Sequence, residues 1–459
     1  MQTVLKYKYL ILIMVLLGSG CKKAVPLEES AINEWYSGGK QTVFNSGSGA
    51  FSQMFNGLGE SKETLHEEGD LAFEATFNAD NTQLNHGLGP IFNNQSCGSC
   101  HIADGRGKAP NAGEKLSSLL IRLSVEGKGP HGEPIGVPGF GGQLQQNGIF
   151  GISAEADVTV EYTEQITYLS DGEAVKLRKP NYNFINTYLP FPGNVLISPR
   201  MASPVFGLGL IEAIDENDLL ALADENDSNN DGISGKANYA YDVLSKKIKI
   251  GRFGWKAAQT SVIQQSAGAY NEDMGITNLI FPKESTEGQI QYLPSDQKYE
   301  LADSVLYAVA FYIQTLAVPG RRKADDSKVI QGKKIFRQIG CASCHVPMHK
   351  TKADMAFPEL SNQIIFPYSD LLLHDMGEDL ADHRPDHLAT GYEWRTPPLW
   401  GVGLTNVVNG HNNFLHDGRA RNITEAIIWH GGEGEISKNN FKNLSKDERN
   451  ALLAFMNSL

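Results

Sequence analysis

The stretch Cys97-Gly98-Ser99-Cys100-His101 decides the reading of this chain. Two thiols three residues apart, with a histidine directly after the second, form the attachment signature of c-type haem. The thiols add across the haem vinyl groups, and the adjacent imidazole reaches the iron as its proximal ligand. The pattern returns as Cys341-Ala342-Ser343-Cys344-His345. The chain is therefore expected to carry two covalently bound haem c groups. Four thiols in two pairs also suit a zinc site or two short disulfides, but a histidine after both pairs favours haem. The upstream context repeats as well: four residues separate Ile91-Phe92 from Cys97, and four separate Ile335-Phe336 from Cys341. Such repetition marks a duplicated unit.

A length of 459 residues exceeds one ordinary domain. A hydrophobic content of 41% sustains sizeable cores, and a charged fraction of 20% is ordinary. The net charge of −13 argues against nucleic acid and against an anionic membrane surface. A basic donor protein or a neutral small substrate fits better. Residues 1–20 read as a lipoprotein signal peptide. Lys6 and Lys8 lead into a short apolar core, Tyr9 to Leu17, which cannot span a bilayer. Gly18-Ser19-Gly20-Cys21 resembles a lipobox, with Gly18 where the consensus has leucine. Lipidation of Cys21 would anchor the chain in the cell envelope of a Gram-negative bacterium, periplasm-facing or at the outer membrane. It also accounts for the fifth, odd cysteine. Export agrees with haem, which is mounted outside the cytoplasm, where thiols would otherwise oxidise.

Residues 21–43 read as a tether, 44–322 as an N-terminal haem domain and 323–459 as a C-terminal one, divided at Pro319-Gly320-Arg321-Arg322. Phe73 and Phe77, four apart, share a helical face. The runs Leu120–Ser124, Val158–Tyr162 and Ile166–Tyr168 are short and β-like, an insertion of hairpins. Pro204 to Ala213 begins a helix. Leu301 to Leu316 and Lys446 to Leu459 each close a haem unit, and Ala310-Phe311 is mirrored by Ala454-Phe455. The expected fold is mainly α: two cytochrome c-like haem domains, the first enlarged by loop and β-hairpin insertions. Asp227-Ser228-Asn229-Asn230-Asp231-Gly232 matches the opening of a calcium loop, but its twelfth position is Asn238 instead of glutamate. Calcium and an acidic surface turn both stand.

An iron held by one histidine has a second axial position. A strong ligand there makes an electron carrier, and an open position admits peroxide or another small molecule. Near the second motif the candidates are Met376, His411, His416 and His430. His430 ends a helical run, where the helix dipole also favours histidine.

Both motifs, with Arg395-Thr396-Pro397-Pro398-Leu399-Trp400-Gly401, Phe414-Leu415-His416-Asp417-Gly418-Arg419 and Glu425-Ala426-Ile427, resemble the bacterial di-haem cytochrome c peroxidases. Gly87-Leu88-Gly89-Pro90, Leu208 to Ala213 and Trp429-His430-Gly431-Gly432-Glu433 sharpen the likeness. More closely, the chain resembles the di-haem oxidoreductase family, described as peroxidases or thiol oxidoreductases. The likeness runs from Phe44 to Leu459. It implies that the C-terminal haem takes electrons from a small redox protein and that the N-terminal haem reduces hydrogen peroxide. It implies a ligand to the second iron just past the Ile423–Trp429 run, usually methionine and here His430, with Met376 as rival. Two histidines would lower the potential. It implies a glutamine and a glutamate beyond the first haem, for which Gln264, Gln265 and Glu272 are candidates. An amide would hold the bound species and a carboxylate would shuttle a proton. A solvated helix face explains the glutamines as well. Trp255 is either an electron bridge or a buried core residue. Beside a peroxidase stand a non-catalytic envelope electron carrier and a di-haem oxidase of another substrate; fold likeness does not choose among them.

Overall fold

Two helix pairs frame the protein. Glu60–Glu74 packs on Asp303–Gln314, and Ser327–Gln338 packs on Lys446–Ser458. A glycine lets each pair of backbones touch. A Cβ on Gly69 would stand 2.6 Å from Tyr312 Cβ and closer still to the Ala308 carbonyl oxygen. One on Gly332 would stand 2.7 Å from Phe455 Cβ and closer still to the Ala451 carbonyl oxygen. One turn past each glycine a phenylalanine meets a motif histidine: Phe73 lies 6.2 Å from His101, and Phe336 lies 6.3 Å from His345. Phe73 also contacts Tyr312 at 5.4 Å, as Phe336 contacts Phe455 at 5.2 Å.

The duplicated unit therefore exists in a register other than the expected one. Phe336 corresponds to Phe73. Ile91–Phe92 forms a short strand against Asn147–Gly148, whereas Ile335 and Phe336 lie in a helix. Phe455 likewise corresponds to Tyr312, while Phe311 stacks on Phe357.

The structure is a computed structural model that describes residues 33–294, 298–354 and 356–459. The expected signal peptide and Cys21 lie outside the described residues. Glu34–Leu459 form one compact unit. From Glu34 the expected tether is packed: Glu34 pairs with Arg321 and Lys333, and Thr42–Val43 runs parallel to Val318–Pro319. No helix among the described residues is long and apolar enough to cross a membrane.

The expectation of a mainly α fold does not hold. The protein is 26% helical and 20% strand, with many small sheets. The inserted segments carry the excess. Asp157–Tyr168 pairs along its whole length with Ala174–Ile185, joining two expected runs into one long hairpin rich in β-branched and aromatic residues. Leu119–Lys128 pairs with Leu196–Met201. Meanwhile the 204–213 run yields only the short helix Leu208–Glu212. The long hairpin crosses to the C-terminal segment. Arg178 donates to the Arg419 and Gly418 carbonyls at 3.1 and 3.2 Å, and Arg449 reaches Asp171 and Glu173 at 2.6 and 2.8 Å.

One apolar cluster takes in the Glu60–Glu74 and Asp303–Gln314 pair, and another lies under the insertion. Leu119, Ile121 and Leu123 belong to the second cluster. Their alternates on the same strand, Leu120 and Arg122, face a cavity.

Candidate functional site

That cavity measures about 550 Å³ and is entered by Cys97, Cys100 and His101. Its size is within the usual range for a bound cofactor. The motif forms a tight turn in which Cys100 and His101 N–H groups donate to the Cys97 carbonyl at 3.1 and 3.0 Å. His101 Nδ1 lies 2.7 Å from the Ser203 carbonyl oxygen. A carbonyl only accepts, so Nδ1 carries the proton and Nε2 keeps its lone pair. Burial lowers the His101 pKa, which keeps the ring neutral. A histidine fixed in this way is ready to bind a metal through Nε2.

His345 repeats the arrangement, with Nδ1 at 2.9 Å from the Tyr368 carbonyl. So does His430, with Nδ1 at 2.7 Å from the Ala426 carbonyl. Burial pushes His345 down to about 4, and His430 is near enough for its charge to add to that effect. Burial lowers His430 too. Two neutral imidazoles thus share the neighbourhood of Cys341 and Cys344. The Met376 backbone lies beside Gly431, next to His430. His416 stacks on Trp394 at 3.9 Å. His411 Nδ1 accepts from the Asn413 N–H at 3.2 Å, the opposite polarity to a ligand-ready ring with a bound Nδ1 proton.

His374 is engaged on both nitrogens: Nδ1 lies 2.6 Å from Glu433 and Nε2 lies 2.9 Å from Asp370. Burial opposes its charge, but Asp370 and the hydrogen bonds prevail and raise its pKa well above the ordinary value. With Cys344, His374 and Asp370 have metal-site composition. The doubly bound imidazolium instead supplies the positive charge that its carboxylates need.

The first cavity suits haem. Phe51, Phe73, Val205, Phe206 and Phe253 give apolar faces. Arg122, Arg200 and Arg384 also line it, and Arg122 Nε, Arg200 Nη2 and Arg384 Nε are buried with no partner among the described residues. Asp386 takes Arg200 at 2.9 Å and Arg384 at 3.3 Å. Glu272 takes Arg122 through both oxygens, with Oε1 3.0 Å from Nη2. Three guanidinium groups face two carboxylates, which leaves capacity for carboxylates of a bound group such as haem propionates.

Gln265, Glu272 and Trp255 line this cavity. Gln264 does not belong to its lining. Its amide donates to the Tyr241 carbonyl and to Gln259, and its oxygen accepts from the Val243 N–H, so it ties a hairpin to the helix Val262–Met274. Asp273, which sequence reasoning missed, lines the cavity beside Glu272. Burial pushes its carboxyl up to about 7, against a hydrogen bond from Gln143. Trp255 Nε1 donates to the Met201 carbonyl at 2.7 Å, and its ring meets His416 edge-on at 6.5 Å. His416 stacks on Trp394, which stands opposite His374 in a strand pair. His374 Nδ1 lies 3.5 Å from Cys344 Sγ. A ladder of rings therefore leads from the cavity to the second motif.

The cavity also draws on the C-terminal segment, whose Arg384, Asp386, His387 and Arg395 line it. Lys256 pins that segment down. Its Nζ donates to Asp382 at 2.7 Å and to the Arg384 and Thr390 carbonyls at 2.8 and 2.7 Å. The expected calcium loop is closed on itself: Asp227 accepts from the Asp231 and Gly232 N–H groups, and Asp231 from the Ile233 N–H. Asn238 is not brought to it; its side chain binds the Lys256 and Asp386 carbonyls and the Leu388 N–H.

Comparison with protein families matches residues 32–459 to the family described as "Di-haem oxidoreductase, putative peroxidase". The chain belongs to this family. It is thus a di-haem oxidoreductase family member and, by that description, an enzyme of oxidoreductase type. None of the curated proteins compared with it matches. Among solved structures, a chain of Kuenenia stuttgartiensis hydrazine synthase, pressurised with 20 bar xenon, is 21% identical. The match covers 35% of this chain and 57% of that one, with a TM-score of 0.23, and carries no argument.

Proposed function

We propose that this di-haem oxidoreductase reduces hydrogen peroxide to water in the cavity beside His101, with electrons that enter at the His345 motif. The observation that carries the reading is the contrast between the two motifs. Beside His345 stands a second ligand-ready histidine, His430. In the cavity of His101 the other histidine, His387, has no partner among the described residues on Nδ1 to fix its ring, and the lining supplies Gln265 and Glu272. When bound, the haems, joined to Cys97, Cys100, Cys341 and Cys344 as c-type groups, supply one-electron carriers, the second fed by a small redox protein and the first spending electrons on peroxide.

The chain's own residues do the rest. His101, His345 and His430 present Nε2 lone pairs, with Met376 as the alternative to His430. Glu272, held by Arg122, is the group placed to take a proton from peroxide. The Gln265 amide holds the substrate oxygens by hydrogen bonds. Trp255 begins the ring ladder that joins the two sites. Cys21, once lipidated, holds the protein in the cell envelope.

Stopped-flow mixing of reduced protein with hydrogen peroxide tests this. Haem oxidation much faster than that of free haem, slowed in E272Q, supports the reading. Oxidation no faster than free haem ends it.

A further inference from the structure

A second void of about 30 Å³ lies behind the Arg122–Glu272 pair. It shares Gly142, Gln143 and Glu272 with the main cavity. One water needs roughly 10–15 Å³ of such space, so this void holds about two. Three buried polar atoms on its wall make no well-formed hydrogen bond among the described residues, Glu155 Oε1, Thr286 Oγ1 and Gln289 Oε1, although Gln289 and Glu284 lie close enough to Glu155 and Thr286 for weak ones. Two waters, each making about three hydrogen bonds, would satisfy them.

Glu155 is 0% exposed. Its Oε2 accepts from the Gln145 N–H at 2.6 Å. No cation is among the described residues that border the void. The charged and titratable groups around it are few. Glu272 on the helix Val262–Met274 is held by Arg122, and Asp273 follows it. Tyr188, whose N–H donates to the Glu155 carbonyl, packs from the far side. Glu284 precedes the Ser285–Gln289 loop, and burial pushes its carboxyl up to about 7. Burial pushes Glu155 up to about 8, against hydrogen bonds from the Gln145 N–H and the Gln289 side chain. It holds its proton at neutral pH, whereas Glu272 is engaged by Arg122.

We propose that Glu155 is a proton store for the cavity, connected to it by the waters of this void along Gly142 and the Glu272 carboxylate. The proposal rests on the peroxidase reading, since reduction of one peroxide consumes two electrons from the donor protein and two protons and yields two waters. Glu155 gives its proton to the adjacent water. That water passes one on to the next, Glu272 orients the file as acceptor, and the last proton reaches a peroxide oxygen. Glu155, then a carboxylate, regains a proton from bulk solvent across the half-buried Ser285–Gln289 loop, where Glu287 and Gly288 are exposed, and passes on the second proton of the turnover by the same route.

Two variants of the haem-loaded protein test it. E155Q keeps the acceptor for the Gln145 N–H but holds no transferable proton. G142V plugs the passage, because a Cβ there meets nothing nearer than Glu272 Oε1 at 4.0 Å. Infrared spectra should show a protonated-carboxyl C=O stretch that E155Q lacks. In wild type this band should bleach when peroxide reacts. In G142V it should be present and stay unbleached. Both variants should slow the peroxide step roughly 100-fold at neutral pH, the low end for positioned proton transfer. Above about pH 8 the wild-type rate should fall toward that of E155Q, a trend that a merely structural Glu155 would not produce. No band lost in E155Q, or full-rate reaction in wild type without a bleach, overturns the relay alone. Absence of any peroxide reaction in wild type overturns the peroxidase reading, and the relay with it.

Discussion

Gly332→Ala sets two effects of opposite sign against each other. Alanine is the better helix former by about 1 kcal/mol, so propensity alone would make the variant more stable. Packing says otherwise. The new methyl carbon would lie 2.7 Å from Phe455 Cβ and closer to the Ala451 carbonyl oxygen. Both obstacles are fixed to the Lys446–Ser458 backbone, so no flexible side-chain end can yield. The helices must separate, and overpacking of this kind costs about 1–3 kcal/mol. A backbone clash belongs at the upper end, which leaves a net loss of about 1–2 kcal/mol. The displacement also reaches the site, because Phe336 sits one turn along and touches His345. Denaturant unfolding of the haem-loaded protein measures the loss, and the visible spectrum of the second haem reports the shift. Gly69→Ala, against the Ala308 carbonyl, should behave alike through Phe73 and His101. An unchanged or raised midpoint in both variants would refute the helix-crossing argument.

Further outcomes follow from buried charge. Lys256 and Asp382 form an ion pair whose side chains are 0% and 1% exposed. Lys256→Met should cost about 3–5 kcal/mol by stranding Asp382, and K256M with D382L should recover much of it; a single variant within about 1 kcal/mol of wild type would contradict this. Glu155 should make stability depend on pH. Its folded pKa of about 8 lies above the ordinary 4.5, so between those values the folded state holds a proton that the unfolded state has lost. Wild-type stability should therefore fall as pH rises through that window, by up to about 5 kcal/mol at roughly 1.4 kcal/mol per unit. E155Q should lack that slope, and parallel pH profiles of the two proteins would sink the assignment.

Much of the site could be read from local pattern. The two motifs, the closing helices and the β-like runs depend on nearest neighbours, and Cys97–His101 and Cys341–His345 are short enough to declare themselves. The fold class misled because the strand content comes from pairing: Val158–Tyr162 and Ile166–Tyr168 become one strand only when Ala174–Ile185 lies beside them. Equal spacing to both motifs points to Ile91-Phe92 as the repeat, yet the true match, Gly69 and Phe73, is set by helix contact across an insertion. Arg122 offered one usable signal, a charge alternating with apolar residues along a strand. Arg384 and Asp386 offered none, since they reach the first cavity from the other end of the chain. Gln264 and Gln265 show the limit most plainly: adjacent on one helix, one fastens a hairpin and the other faces the cavity.

The central claim is that the two irons differ, one held by His345 and His430, the other by His101 with an open face. Electron paramagnetic resonance of the oxidised, haem-loaded protein tests it directly, alongside His430→Ala. One low-spin and one high-spin signal in wild type, with the low-spin signal lost in the variant, is the predicted result. Two low-spin signals that both survive the substitution would contradict it.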